Sequence, residues 1–148
     1  MIRGIIFDFY RTLFDPEQEA LMPGALPLLQ TLQQQGYKLC LISRKSTKER
    51  RENISRFRLD KFFMHIIVAE EKTKQHFEEC LTVMKLPGTE VAVVGDRVKT
   101  EIYFGNLLGM KTIWFKMGKF AAEEPQRKEE KPSYVITDLR EVLGCLNS

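Results

Sequence analysis

Gly4-Ile5-Ile6-Phe7-Asp8-Phe9-Tyr10-Arg11-Thr12-Leu13-Phe14 is the stretch on which the reading of the whole chain turns. An apolar run rich in β-branched and aromatic residues stops abruptly on a carboxylate. A run without polar alternation is what a strand buried on both faces requires, since alternation would place polar groups in a core. Similar runs recur downstream and predict strands over residues 3–9, 38–43, 65–69, 90–94 and 112–115, with a short sixth at 134–136. Between them lie helical patterns. Ala25, Leu28, Leu29 and Leu32 fall at i, i+3, i+4 and i+7, as do Phe77, Cys80, Leu81 and Met84, and Leu139, Val142, Leu143 and Leu146. Each set forms one apolar stripe. Ser46 with Glu49, and Asp138 with Glu141, have the spacing of capping boxes, while Gly36 and Gly109 stand where helices should stop. Strands alternating with helices predict an α/β fold with a doubly wound parallel sheet between two helical layers.

The chain has 148 residues, 43% of them hydrophobic, which fits one domain over residues 1–148 with a core of its own. Cys40, Cys80 and Cys145 are odd in number and widely spaced, which argues against a disulfide framework or a zinc site and for a reducing, cytoplasmic setting. No apolar run is long enough to span a membrane, and Asp8 interrupts the N-terminal one before it can serve as a signal peptide. The net charge of +3 does not define a nucleic-acid binder. Charge is nevertheless uneven. Residues 44–61 hold Arg44, Lys45, Lys48, Arg50, Arg51, Arg56, Arg58 and Lys61 against Glu49, Glu52 and Asp60, a pattern read as a solvated helix face in preference to a patch for a polyanion. Residues 116–133, charged and containing Pro125 and Pro132, are too long for a simple connection and read as a lid or a mobile loop.

In a parallel sheet all strands end on one edge, and ligands bind beyond those ends where the strand order reverses. The residues just past the strands are Asp8, Ser43, Lys72 and Asp96. Two carboxylates held together in a partly buried site repel, and a cation or a raised pKa relieves them. Mg²⁺ takes carboxylate, phosphate and water oxygens together. A carboxylate can also attack phosphorus, with a hydroxyl and an ammonium holding the phosphoryl oxygens.

These residues resemble the haloacid dehalogenase superfamily of aspartate-nucleophile hydrolases, most of them magnesium-dependent phosphatases. The first motif of that family, Asp-x-Asp-x-Thr-Leu after a hydrophobic strand, is matched by Asp8-Phe9-Tyr10-Arg11-Thr12-Leu13; the second by Leu41-Ile42-Ser43; the lysine of the third by Lys72, with Lys74 a weaker match; and the fourth by Gly95-Asp96 with Glu101. The resemblance implies a Rossmann-like core in which Asp8 is the nucleophile and a metal ligand. Tyr10 would offer its backbone carbonyl to Mg²⁺, with Asp96 and Glu101 completing or supporting the ligand set. Thr12, Ser43, Arg44 and Lys72 would hold the phosphoryl group.

Two departures shape the expected function. Tyr10 stands where family phosphatases carry the aspartate that protonates the leaving group, and a phenol, with a reference pKa of about 10, is a poor base at neutral pH. Loss of such a group usually costs on the order of 10²–10⁴-fold. The expectation is therefore a phosphohydrolase slowed by Tyr10, with a phosphate-binding or protein-interaction module as the alternative. Asp-x-Tyr also resembles the family's 2-haloacid dehalogenases, but those insert a helical cap after the first motif, and residues 15–22 leave no room for one. An open site suits a large phosphorylated substrate, or one enclosed by residues 116–133 or by a second copy of the chain.

Overall fold

A computed structural model describes residues 1–44 and 48–147. In chain order the elements are β1 (Gly4–Asp8), β2 (Phe14–Asp15), β3 (Ala20–Leu21), α1 (Ala25–Gln34), β4 (Lys38–Arg44), α2 (Lys48–Arg56), β5 (His65–Ala69), α3 (Lys74–Met84), β6 (Val91–Gly95), α4 (Tyr103–Leu107), β7 (Lys111–Phe115), β8 (Tyr134–Ile136) and α5 (Val142–Leu146). Each of the six strands expected from the sequence is present, with ends shifted by at most one residue.

β1 is buried along its whole length because both of its faces are covered. Ile5 and Phe7 pack with Leu39, Leu41, Ala92 and Val94 against Leu28, Leu29 and Leu32 of α1, Ile54 of α2 and Val142 of α5. Ile6 turns the other way, joining Cys40, Ile42 and Val93 against Phe77, Cys80 and Met84 of α3. The period-two alternation of a strand thus feeds two apolar layers at once, which is why the run shows no polar residue before Asp8.

The six strands run in the order β5-β4-β1-β6-β7-β8, every neighbouring pair parallel. From β1 the chain steps outward through β4 to β5, then crosses back to β6 and proceeds the other way. The direction reverses between β1 and β6, so the crevice of a doubly wound sheet opens beyond their carboxyl ends.

Local signals place the helices. Pro27 sits in the first turn of α1, where the missing N–H would have had no intrahelical partner. Gly36 and Gly109 follow helices with φ of 83° and 76°, the left-handed stop expected of them. At the last helix Asp138 accepts the Arg140 N–H at 2.8 Å, and Glu141 accepts the N–H of Asp138 at 3.0 Å, so the expected capping box is formed. The box expected from Ser46 and Glu49 lies outside the described residues. Of the basic run, Arg56, Arg58 and Lys61 are exposed, and Arg56 donates to the Glu19 carbonyl at 3.0 Å.

Residues 15–22, read from sequence only as a short link, contain part of a hairpin in which Phe14–Asp15 pairs antiparallel with Ala20–Leu21. Strands of two residues are too short for alternation to reveal them. Residues 116–133 form two short 3₁₀ turns and are tied to the body: Asn106 donates to the carbonyls of Glu129 and Lys131, both at 2.8 Å, and Arg97 pairs with Glu123 at 3.1 Å. Among the described residues no helix is long and apolar enough to cross a membrane.

Candidate active site

Register carries the chemistry to one place. Asp8 is the last residue of β1 and pairs with Ile42, and Phe7 pairs with Val94, so Asp96 projects one step beyond the level of Asp8 on the neighbouring strand. Lys72 precedes α3 by two residues, held by a first turn in which His76 Nδ1 accepts the Thr73 N–H at 3.1 Å. Glu101 arrives by another route. Residues Val98–Ile102 form a wide π turn, with the Ile102 N–H reaching the Arg97 carbonyl, and this turn swings Glu101 back against β6. A Cβ on Gly95 would lie 2.3 Å from Glu101 Cγ, so only glycine admits the carboxylate there. The indole N–H of Trp114 holds the Asp96 carbonyl at 3.0 Å.

These groups meet away from water: Asp8 is 4% exposed, Lys72 7%, Asp96 3% and Glu101 3%. Lys72 Nζ donates to Asp8 Oδ1 at 2.5 Å and to Glu101 Oε2 at 2.8 Å, and Thr12 Oγ1 donates to Asp8 Oδ2 at 3.0 Å. Burial alone would push the Lys72 ammonium down, but Asp8 and Glu101 outweigh it and hold the group above the usual lysine range. Burial, followed by repulsion from Asp8 and Glu101, pushes the Asp96 carboxyl up to about 9. Burial also pushes Glu101 up to about 7, with Lys72 opposing and Asp8 reinforcing the rise. One ammonium therefore does not balance three carboxylates.

The arrangement fits a hard divalent cation. Oxygen atoms of Asp8, Asp96 and Glu101 lie within 4.8 Å of one another. Asp96 Oδ2 and Glu101 Oε1 are buried with no hydrogen-bond partner. An orphaned buried carboxylate oxygen is costly, and a cation among all-oxygen donors would remove both the orphan and the repulsion.

Asp8, Tyr10, Arg44, Lys72, Asp96 and Glu101, all singled out from sequence, line one cavity of about 320 Å³. Thr12 and Ser43 are fully buried and do not line it. Thr12 acts on the cavity through Asp8, whereas the Ser43 hydroxyl makes a long bond to the Arg44 carbonyl at 3.4 Å. Alternation along β4 accounts for this: Ile42 shares the α3 face with Ile6, and Ser43, one residue on, turns to the opposite face.

Arg11, Arg97, Thr100, Lys119 and Phe120 complete the lining. Arg97 and Thr100 adjoin Asp96 and Glu101, so proximity to the fourth motif was a usable signal. Lys119 and Phe120 were not singled out individually, although they belong to residues 116–133, whose length and composition read as a lid or a mobile loop. Arg97 places its guanidinium 4.1 Å over the Phe120 ring and pairs with Glu123, fastening that segment to the site.

Comparison with known proteins agrees with this architecture. A family profile described as HAD-hydrolase-like matches residues 72–142. The chain is 34% identical over 146 residues to glyceraldehyde 3-phosphate phosphatase of Pyrococcus furiosus, covering 95% of this chain and 60% of that protein. It thus spans less than two thirds of that relative's length. Among solved structures, 2-haloacid dehalogenase from Pseudomonas syringae superposes with a TM-score of 0.79 at 16% identity, covering 99% of this chain and 98% of the other. A Bacillus subtilis protein named as a HAD-hydrolase bound to magnesium superposes with a TM-score of 0.70 at 24% identity, covering 87% of this chain and 57% of the other. With a reversal point flanked by acidic strand ends, a lysine joining two carboxylates and these likenesses in sequence and fold, the chain belongs to the haloacid dehalogenase superfamily of hydrolases.

Proposed function

We propose that the protein is a Mg²⁺-dependent phosphohydrolase that works through an aspartyl-phosphate on Asp8. The carrying observation is the Asp8 carboxylate itself, gripped by Lys72 on one oxygen and Thr12 on the other at the floor of an open cavity. In this reading an Asp8 oxygen forms a bond to phosphorus as the ester P–O bond breaks, and the leaving oxygen takes up a proton. Water then attacks the phosphorus, releasing inorganic phosphate and restoring Asp8. Lys72 neutralises charge on the transferring oxygens. The Tyr10 backbone carbonyl, Asp8, Asp96 and Glu101 would hold the metal, whose charge offsets that of the phosphoryl oxygens. Arg44 would meet the phosphoryl group, while Ser43 would need to rotate toward the cavity to do so. Three buried cysteines, none of them in a disulfide, agree with a reducing cytoplasmic setting.

Tyr10 decides which esters react. Its ring has the Arg11 guanidinium 4.8 Å from the centroid and packs with the Phe14 ring at 5.8 Å, and a phenol stands here in place of a carboxylic acid. Acetyl phosphate and aryl phosphates, whose leaving groups need no proton, should turn over much faster than alkyl phosphates. Tyr10→Asp should raise the alkyl rate by roughly 10²–10⁴-fold. Equal rates on all three substrate types would refute the missing acid. Absence of turnover with any phosphate ester in both forms of the protein would favour the phosphate-binding module, the reading that Tyr10 also supports.

Magnesium dependence has a pH signature. Because Asp96 and Glu101 have folded-state pKa values above the unfolded ones, the folded chain retains protons that the unfolded chain releases. The stability tied to those protons is present below about pH 4 and is lost as pH rises through 7 toward 9. A cation competing for the same oxygens should therefore raise the melting temperature more at pH 8 than at pH 5.5. A Mg²⁺-induced shift that is equal at both pH values, or absent, would count against this site.

A further inference from the structure

The cavity lining contains more positive charge than a phosphomonoester and its machinery need. Five cationic side chains, Lys72, Arg11, Arg44, Arg97 and Lys119, face three carboxylates, Asp8, Asp96 and Glu101. Lys72 pairs with Asp8 and Glu101, and Arg97 pairs with Glu123. Among the described residues no carboxylate lies within ion-pair distance of Arg11, Arg44 or Lys119. Arg44 leaves the end of β4, Lys119 belongs to the 116–133 segment, and both are exposed at the mouth.

Arg11 is the most telling of the three. Its φ is 65°, a left-handed backbone that glycine adopts most readily, yet the chain places a long cation there. The guanidinium lies over the Tyr10 ring and 5.8 Å from the Phe120 centroid, and both rings line the cavity. Stacking on aromatic faces orients a guanidinium while leaving its N–H fork available to an anion. No local structural need explains arginine here.

We propose that this crevice selects phosphoesters whose leaving group carries a second anion, a phosphate or a carboxylate, held at the mouth by Arg11 and Lys119. The proposal rests on the phosphohydrolase reading, in which the reacting phosphoryl group sits deeper, at Asp8 and Lys72. The mouth cations do here what side chains of a covering domain would otherwise do: they recognise the part of the substrate that is not transferred.

Matched pairs test it: fructose 1,6-bisphosphate against fructose 6-phosphate, and 3-phosphoglycerate against glycerol 3-phosphate. Each pair is measured as kcat/KM in the intact protein and, by calorimetry, as binding to Asp8→Asn. Charge-assisted hydrogen bonds to one added anion should favour the doubly anionic member of at least one pair by about ten- to hundredfold. The pair that shows the preference identifies the second anion as phosphate or carboxylate. Arg11→Gly, which suits the left-handed backbone, combined with Lys119→Gln should bring the ratio close to one, and added salt should shrink it in the parent protein. Ratios near one for both pairs, with measurable turnover, would overturn this proposal and leave the phosphohydrolase reading standing. A binding preference abolished by the double variant, without hydrolysis of any ester, would uphold the anion site and sink the hydrolase reading. A preference unaffected by the double variant would overturn the assignment to these residues.

Discussion

Asp8→Asn should lower turnover of acetyl phosphate and aryl phosphates by about 10⁴–10⁶-fold, the scale seen when a covalent nucleophile is removed. The substitution is nearly isosteric and keeps an oxygen for the Thr12 hydroxyl, which now reaches Asp8 Oδ2 at 3.0 Å. What it removes is the charge and the oxygen that attack phosphorus. Acid-quenched samples should carry a phosphoryl group on the peptide containing Asp8 in the parent protein and none in the variant. A rate within a few-fold of the parent would take Asp8 out of the mechanism. A collapsed rate without a trapped phosphoryl group in the parent would point to Asp8 as a metal ligand alone.

Lys72→Met should be the most damaging single change to stability. Lys72 is buried and is the cation that bridges Asp8 and Glu101. Methionine approximates its volume and removes its charge, leaving Asp8, Asp96 and Glu101 to repel one another in a poorly solvated pocket. Breaking a buried ion pair by deleting one partner typically costs about 3–5 kcal/mol. The loss should be larger near pH 8, above the Glu101 value of about 7, than near pH 5, where Glu101 and Asp96 both keep their protons. Urea unfolding at the two pH values, with and without Mg²⁺, measures this. A pH-independent loss, or none, would show that repulsion among the carboxylates is not what Lys72 relieves.

The same cluster shows how the site could be read before the fold was known. Asp8 and Asp96 were legible because each ends an apolar run, and parallel strands necessarily deliver their ends to one edge. Lys72 was legible as the polar residue following the third strand, whereas Glu101 was legible only with the family resemblance, since it returns on a π turn that no periodicity announces. Gly95 explains that return, because the carboxylate of Glu101 occupies the space its Cβ would fill. Ser43 shows the opposite limit. Its place at the end of β4 was legible, but the strand's alternation turns its hydroxyl away from the cavity that Arg44 enters.

By itself the sequence determined the parallel sheet, the two helical layers and the acidic strand ends, because these follow from local periodicity and from the identity of single residues. The absence of room for a cap in residues 15–22 was equally a matter of counting. Only tertiary structure decided that a single lysine links Asp8 to Glu101, that Phe120 and Lys119 wall the crevice, and that Arg11 points across two rings toward its mouth. Those contacts join residues as many as 109 positions apart, as Arg11 and Phe120 show. Local patterns set the shape of each segment; which distant segments meet is settled by the burial of both faces of the sheet and by the crossover from β5 to β6.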